Sequence, residues 1–418
     1  MNAGPHSEIE VFTPTALACP HPVWRRLRQE APVHQVHLPG IAADTYLVSR
    51  KSDIEYVCQH PEVFSSHPDP AVWRWGDLGP EFAPIFAEGG YRIVDTIVTS
   101  DPPEAARYRK IMNEVLSVSR VHALQPVIQG IIDELLAAIP DGEPVDFRAA
   151  FAVPLPLKVI AAILGLPPAD SEFVYWFTTE YMMLVDPSTP LERAKQAAKA
   201  FVEAQKYLAS RIAAYRSVPA DNFLSLIANA RGDDGERLTM EEALSIAFIT
   251  TIGGNETTRN ALATIAYLLA AQPSLWEALR EDERKIPRLV EEGVRYGSPA
   301  ATTPRRVLRD TELGGVRLPA GATLFMLWGS GSGDETHFED PAQIRLDRPN
   351  WRNHTSFGHG LHHCAGLHLA RSEMIASVQS WLKEFRHFEL AVPAADIHFE
   401  PAFAIRALER LPLRVARR

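Results

Sequence analysis

The sequence predicts a mainly α-helical fold with a small β portion. Three observations lead there. Helical periodicity dominates from about residue 102 to 296, the helix-rich core. Short β-like runs gather outside it, at about 33–48, 304–327 and 386–415. No linker separates these regions, so residues 1–418 read as one domain.

Taken in order, residues 24–31 read as a helix, 33–38 and 45–48 as a strand pair, and 52–60 as a second helix. Residues 67–100 are rich in Pro, Gly and aromatics, including Trp73, Trp75, Phe82, Phe86 and Tyr91. That composition predicts a long irregular loop, and loops of such length are usually functional or disordered. Helices are expected at 104–116, 122–138, 155–164, 171–184 and 191–215. A Gly/Asp-rich turn at 231–236 precedes the most informative helix. Thr239 and Glu242 form a T-x-x-E capping pattern and Pro273 marks the other end. The roughly 32 residues between them make a rod of about 48 Å. Leu244, Ile246, Phe248, Ile249, Leu262 and Ile265 make it apolar all round, so it is expected to be a buried central helix. Strands follow at 306–308, 316–318 and 323–327, then a Pro/Asp/Arg-rich meander to His354, a helix at about 365–385, and strands at 388–392 and 411–415.

Composition excludes several functions. The net charge is -10, from 42 basic and 52 acidic residues, without the basic footprint of a nucleic-acid binder. Cys19, Cys58 and Cys364 are scattered and odd in number, so no disulfide framework is indicated and a reducing, cytoplasmic setting is expected. Residues 1–15 carry no apolar run, and no stretch approaches the roughly 20 apolar residues of a membrane span. No membrane partner is expected.

The chemistry concentrates in Phe357-Gly-His-Gly-Leu-His-His-Cys-Ala-Gly366. Glycines at 358, 360 and 366 let the chain turn tightly and approach a flat ligand closely. Backbone N–H groups of the helix that follows favour a thiolate at Cys364. Phe357 can shield the sulfur from water, and His362 can reach an anionic edge of the ligand. Two other readings fit the same residues: a buried structural cysteine, or a zinc site from His359, His362, His363, Cys364 and His368.

The decapeptide matches F-G-x-G-x-H-x-C-x-G at every fixed position and so resembles the cytochrome P450 signature. More distant segments agree. Glu292 and Arg295 match the family's E-x-x-R, share a helix face and are expected to brace the meander beneath the cysteine loop, a structural role. Gly253-Gly254-Asn255-Glu256-Thr257-Thr258 resembles the oxygen-activation motif. Two mid-helix glycines cost about 1 kcal/mol each, and the resemblance explains them by an opening of the helix beside the iron. A glycine pair for close helix packing is the alternative. Asp101-Pro-Pro-Glu-Ala-Ala-Arg-Tyr-Arg109 resembles the entry to the helix after the long loop, with Ala105 where His is frequent, so one propionate contact is expected to be missing or replaced. Arg406-Ala-Leu-Glu-Arg-Leu-Pro412 resembles a C-terminal family pattern, with Ala407 in place of Gly.

The resemblance, covering about residues 22–415, implies the triangular-prism P450 fold, with one haem b between the long helix and the cysteine loop. It makes Cys364 the iron ligand and assigns Arg109, Arg305 and His362 to the propionates. Phe357, Gly358, Gly253 and Gly254 line the cofactor, and Thr257 and Glu256 are catalytic, handling oxygen and its protons. The implied reaction inserts one oxygen atom from O2 into a C–H bond of a small hydrophobic substrate, with electrons from a ferredoxin-type donor and its NAD(P)H-dependent reductase. An H2O2-driven peroxygenase and a non-catalytic haem sensor are the other two readings. Arg109, Lys110, Arg352 and Arg371 are expected to form the docking patch. Residues 69–98, 173–183, Ile249, Thr250 and 300–303 are expected to build the substrate pocket.

Overall fold

The computed structural model describes residues 9–38, 43–67, 69, 80–185, 189–232 and 235–418. Trp73 and Trp75, and part of the 231–236 turn, lie outside the described residues.

The β runs on either side of the helical core, at 33–48 and 302–327, meet in one sheet. The larger sheet has the spatial order Val33–Val36, Thr45–Val48, Thr323–Leu327, Thr302–Val307, Phe64–Ser65. Thr45–Val48 pairs in parallel with Thr323–Leu327, Thr45 lying opposite Thr323. Parallel neighbours need a crossover, and here it is the whole helical core. A smaller sheet joins Pro144–Asp146, Pro412–Arg417 and Phe385–Leu390. The Thr311–Leu313 and Val316–Leu318 strands form a hairpin whose turn residues, Gly314 and Gly315, have φ of 56° and 80°. Two consecutive positive φ values are what a type I′ turn requires.

The helix expected at 122–138 is two helices, Val118–Ala123 and Gln125–Ala137. Pro126 sits in the first turn of the second, where its missing N–H costs nothing and its ring bars continuation from the first.

The long helix runs unbroken from Met240 to Ala271, 32 residues. Its N-terminus carries the expected capping box: the Thr239 hydroxyl accepts from Glu242 N–H at 3.1 Å, and the Glu242 carboxylate accepts from Thr239 N–H at 2.7 Å. Glu242 also accepts from Arg107 at 2.5 Å and Tyr108 Oη at 2.8 Å. One carboxylate thus ties the long helix to the Glu104–Val115 helix.

Beneath the meander, Glu292 and Arg295 pair at 2.7 Å, both fully buried. Arg348 joins them, its Nε–H donating to Glu292 at 2.9 Å. The remaining guanidinium hydrogens go to meander carbonyls, Arg295 to Pro341 O at 2.8 Å and Arg348 to Glu339 O at 2.6 Å. Both cations lie within 6 Å of the Phe338 ring, at 5.6 and 5.9 Å. A buried carboxylate is tolerated only with such partners, and these three residues clamp the meander that leads into the cysteine loop.

Candidate active site

Residues 357–366 fold back on themselves through two short bonds. Cys364 N–H donates to Phe357 O at 2.8 Å, and Gly358 N–H to Thr355 O at 2.8 Å. Gly358 and Gly360 have φ of 76° and 67°, the left-handed region that a side chain resists. A Cβ on Gly360 would also lie 2.9 Å from Cys58 O, so the loop presses against the Lys51–Gln59 helix there. Gly366 differs from expectation: its φ is -85° and a Cβ would meet nothing within 4 Å. Its contribution is its N–H, which hydrogen-bonds the Cys364 sulfur at the start of the Leu367–Glu384 helix.

Cys364 is surrounded by protein, and what surface it keeps opens into a cavity of about 300 Å³. Burial pushes its thiol up, opposed by the Gly366 N–H and the cations Arg109 and Arg371. Arg109 donates through Nε–H and Nη2–H to Leu361 O, at 3.1 and 2.5 Å, and to His363 O. It lines the cavity while bracing the loop backbone.

The same cavity is lined by His362, Arg305, Gly253, Gly254, Thr257, Phe357 and Gly358. His362 Nδ1 lies 2.8 Å from Ile97 O, so that nitrogen holds the proton. Nε2 is buried with no protein partner. Burial, with Arg305 nearby, pushes the imidazole down to about 4. Arg305 is fully enclosed, and its one hydrogen bond among the described residues runs from Nη1 to Pro304 O at 2.8 Å. Burial lowers its pKa, with Cys58 and Asp101 opposing. A buried guanidinium and an orphaned imidazole nitrogen beside an enclosed thiol call for a ligand with carboxylates at one edge and a thiophilic centre. A haem has both, and the donor set fits it.

The zinc reading fails. Among the described residues no three His, Cys, Asp or Glu side chains converge as a metal site. His359 turns away to Glu55 and Gln59, at 3.5 and 3.0 Å.

The long helix stays helical past the cavity instead of opening, and its two glycines divide the work. A Cβ on Gly254 would strike Ile160 Cδ1 at 2.6 Å, so Gly254 serves helix packing. A Cβ on Gly253 would meet nothing within 4 Å, so Gly253 leaves the cavity open. Thr257 donates its hydroxyl to Gly253 O at 2.7 Å. Glu256 is not among the cavity-lining residues and pairs with Arg259 at 2.7 Å.

The expected pocket is partly corrected. Ile97, Val98, Ile249, Thr250, Ala300 and Thr303 line the cavity, but no described residue of 173–183 does. Phe177 packs its ring 5.3 Å from that of Phe248, and Tyr181 lies 5.0 Å from Phe201, so these aromatics fill the space between helices. The expected basic patch is also thinner, because Arg109 donates to the loop carbonyls and Arg371 to Glu291. Lys110 and Arg352 are exposed, Arg352 lying 4.2 Å over the Trp351 ring.

Sequence reasoning missed Glu291, His354 and Arg348, whose partners lie far along the chain. It also missed Glu373, a cavity-lining carboxyl fully buried with neither oxygen partnered by protein. The signal for Glu373 was available: it occupies the buried stripe of its helix with Leu369, Ala376 and Ser380.

The family model described as Cytochrome P450 matches residues 169–406. The chain is similar to 6-deoxyerythronolide B hydroxylase of Saccharopolyspora erythraea, 33% identical over 76% of this chain and 77% of the relative. It is similar to cytochrome P450 monooxygenase PikC of Streptomyces venezuelae, 32% identical over 95% and 91%. Among solved structures, the tirandamycin C-bound P450 monooxygenase TamI superposes with a TM-score of 0.81 at 32% identity, covering 96% of this chain and 99% of that one. Myxobacterial CYP267B1 in complex with myristic acid gives 0.86 at 28% identity, covering 98% and 99%. The chain is a P450 monooxygenase and belongs to the cytochrome P450 family.

Proposed function

We propose that the protein inserts one oxygen atom from O2 into a C–H bond of a small hydrophobic substrate, using a haem b whose iron takes Cys364 as axial ligand. The convergence of Cys364, His362, Arg305 and Thr257 on one cavity carries this reading. When bound, the haem supplies oxygen activation, with thiolate ligation favouring O–O cleavage.

The protein's part is to hold, orient and protonate. Arg305 offers its planar fork to a carboxylate. A second carboxylate at His362 Nε2 would draw a proton onto that nitrogen, reversing the depression caused by burial. Arg109 fixes the loop carbonyls, and Phe357 keeps water from the sulfur. Thr257 presents a hydroxyl already polarised by its bond to Gly253 O. Glu256 gates proton supply, and its pair with Arg259 must break for it to do so.

The walls Ile97, Val98, Ile249 and Ala300 favour an apolar body. The Thr250 hydroxyl is buried there without a protein partner, which suits a substrate carrying a hydrogen-bonding group. Terpenoid and aromatic compounds are placed ahead of steroids and fatty acyl chains because Gly254-Asn-Glu-Thr-Thr-Arg259 resembles bacterial catabolic and biosynthetic members of the family. Electrons come from a ferredoxin-type donor and its reductase, docking near the exposed Lys110 and Arg352. A compound screen for the low-spin to high-spin change in the haem spectrum, followed by turnover with a surrogate ferredoxin system or with H2O2 alone, tests the reading. Product with the ferredoxin system and O2 supports it. Product with H2O2 alone identifies a peroxygenase, and product with neither, for every compound that shifts the spin state, identifies a sensor.

A further inference from the structure

Glu291, immediately before the Glu of E-x-x-R, is buried at 2% exposure and serves a network of its own. One carboxylate oxygen accepts from His354 Nε2 at 2.8 Å. Arg371 engages both oxygens, through Nε–H on one and through Nη2–H at 3.0 Å on the other. Ser356 N–H donates to His354 Nδ1 at 3.3 Å. An imidazole that accepts at Nδ1 and donates at Nε2 is neutral. The network therefore holds one anion, Glu291, and one cation, Arg371. Burial raises the Glu291 carboxyl, but the His354 and Arg371 hydrogen bonds outweigh it and hold the group below its ordinary range.

Both partners of Glu291 rest on the same ring. The Arg371 guanidinium lies 5.2 Å from the Phe357 centroid, and the His354 ring lies 5.7 Å from it. Phe357 O in turn accepts from Cys364 N–H at 2.8 Å. Arg371 is also one of the two cations whose field reaches the Cys364 sulfur. One buried carboxylate thus holds both groups that pack on the Phe357 ring and balances the cation whose field reaches the sulfur.

We propose that Glu291 is a positioning residue that sets the reduction potential of the bound haem, by holding Arg371 and cancelling its charge next to Cys364. This rests on Cys364 being the iron ligand. Adding an electron to the iron adds negative charge, so net positive charge nearby favours the reduced state. With Glu291 ionised, the Glu291–Arg371 pair is neutral and the potential stays low. Removing the carboxylate charge frees the cation and raises the potential, while removing the cation lowers it. The two substitutions act in opposite directions, which a general loosening of the loop would not produce.

The experiment is spectroelectrochemical titration of the haem-loaded, substrate-free protein, with haem content and the CO spectrum recorded for every variant. Glu291→Gln is expected to raise the reduced-to-oxidised ratio at fixed ambient potential by up to tenfold, about 59 mV for one electron. Arg371→Met is expected to lower it, and Arg371→Lys to leave it near wild type. Glu291→Gln combined with Arg371→Met is expected to return toward wild type. Arg371 is partly exposed, so its variants give an answer even if Glu291→Gln fails to fold. Potentials that do not move, or that move in the same direction in Glu291→Gln and Arg371→Met while the thiolate CO band persists, overturn the proposal. A wild-type protein without that band would instead overturn the ligand reading on which it rests.

Discussion

The Thr257 hydroxyl is bonded to the Gly253 carbonyl, 2.7 Å away and one turn back along the long helix. That bond fixes where the hydroxyl stands in the cavity and which way its hydrogen points, and a methyl group there would do neither. Thr257→Ala is therefore expected to bind haem and substrate normally while releasing more reducing equivalents as peroxide. Positioned proton transfer contributes roughly 10²–10⁴-fold, so product per NAD(P)H consumed should fall at least severalfold. Glu256→Gln should slow turnover with less leakage, since the role proposed for Glu256 is proton supply from outside the cavity lining. Unchanged coupling and rate in both variants would contradict these roles.

Haem retention should separate the two arginines. Arg305 has one bond to its own chain, whereas Arg109 holds two loop carbonyls. A charge-assisted bond contributes roughly 1.5–3 kcal/mol, so Arg305→Ala should release haem at least about tenfold faster to apomyoglobin. Arg109→Ala should also release it faster and, in addition, lower the thermal stability of the apoprotein by loosening the loop. Ala105 is 1% exposed and does not line the cavity, so Ala105→His should cost about 1–3 kcal/mol by overpacking rather than restore a propionate contact. Release rates equal to wild type in Arg305→Ala would remove Arg305 from the cofactor site.

The Glu292 clamp should be expensive to break from one side. Glu292→Ala leaves Arg295 and Arg348 buried without their carboxylate, which typically costs about 3–5 kcal/mol. The expected outcome is a large fall in melting temperature and poor haem incorporation, measured by calorimetry and absorbance. A fall worth less than about 1 kcal/mol would mean that water replaces the carboxylate.

Glu373 gives a prediction in pH. Burial raises its carboxyl well above the ordinary value. A raised acid loses stability as pH climbs above the unfolded value, because the unfolded chain ionises first. Glu373→Gln removes that loss. The melting temperature of the variant relative to wild type should be near zero difference at about pH 4 and grow increasingly positive toward pH 7–8. A difference that is flat with pH would mean Glu373 is not held neutral.

What the sequence disclosed follows from the range of each interaction. The long helix was legible because its capping residues and apolar faces are local, and Thr239 and Glu242 form the box at the place expected. The loop at 357–366 was legible because its turn and its hydrogen bonds close within ten residues. Arg348 was not, since it reaches Glu292 from 56 residues away and no periodicity connects them. The parallel pairing of Thr45–Val48 with Thr323–Leu327 was hidden for the same reason. The 173–183 helix was misread because an apolar aromatic face looks the same whether it lines a pocket or fills a core, and here Phe177 and Tyr181 fill the core. The break at 124 was overlooked because Pro126 was compatible with a helix but not with one that continued through it.

The most direct test is the absorption spectrum of the purified protein, reduced and exposed to CO. Ligation of haem iron by Cys364 predicts the strongly red-shifted Soret band of a thiolate complex, and its loss in Cys364→Ala even where some haem is retained. A wild-type band at the position of a neutral-ligand haem, or a Cys364→Ala variant that keeps the wild-type band, would contradict it.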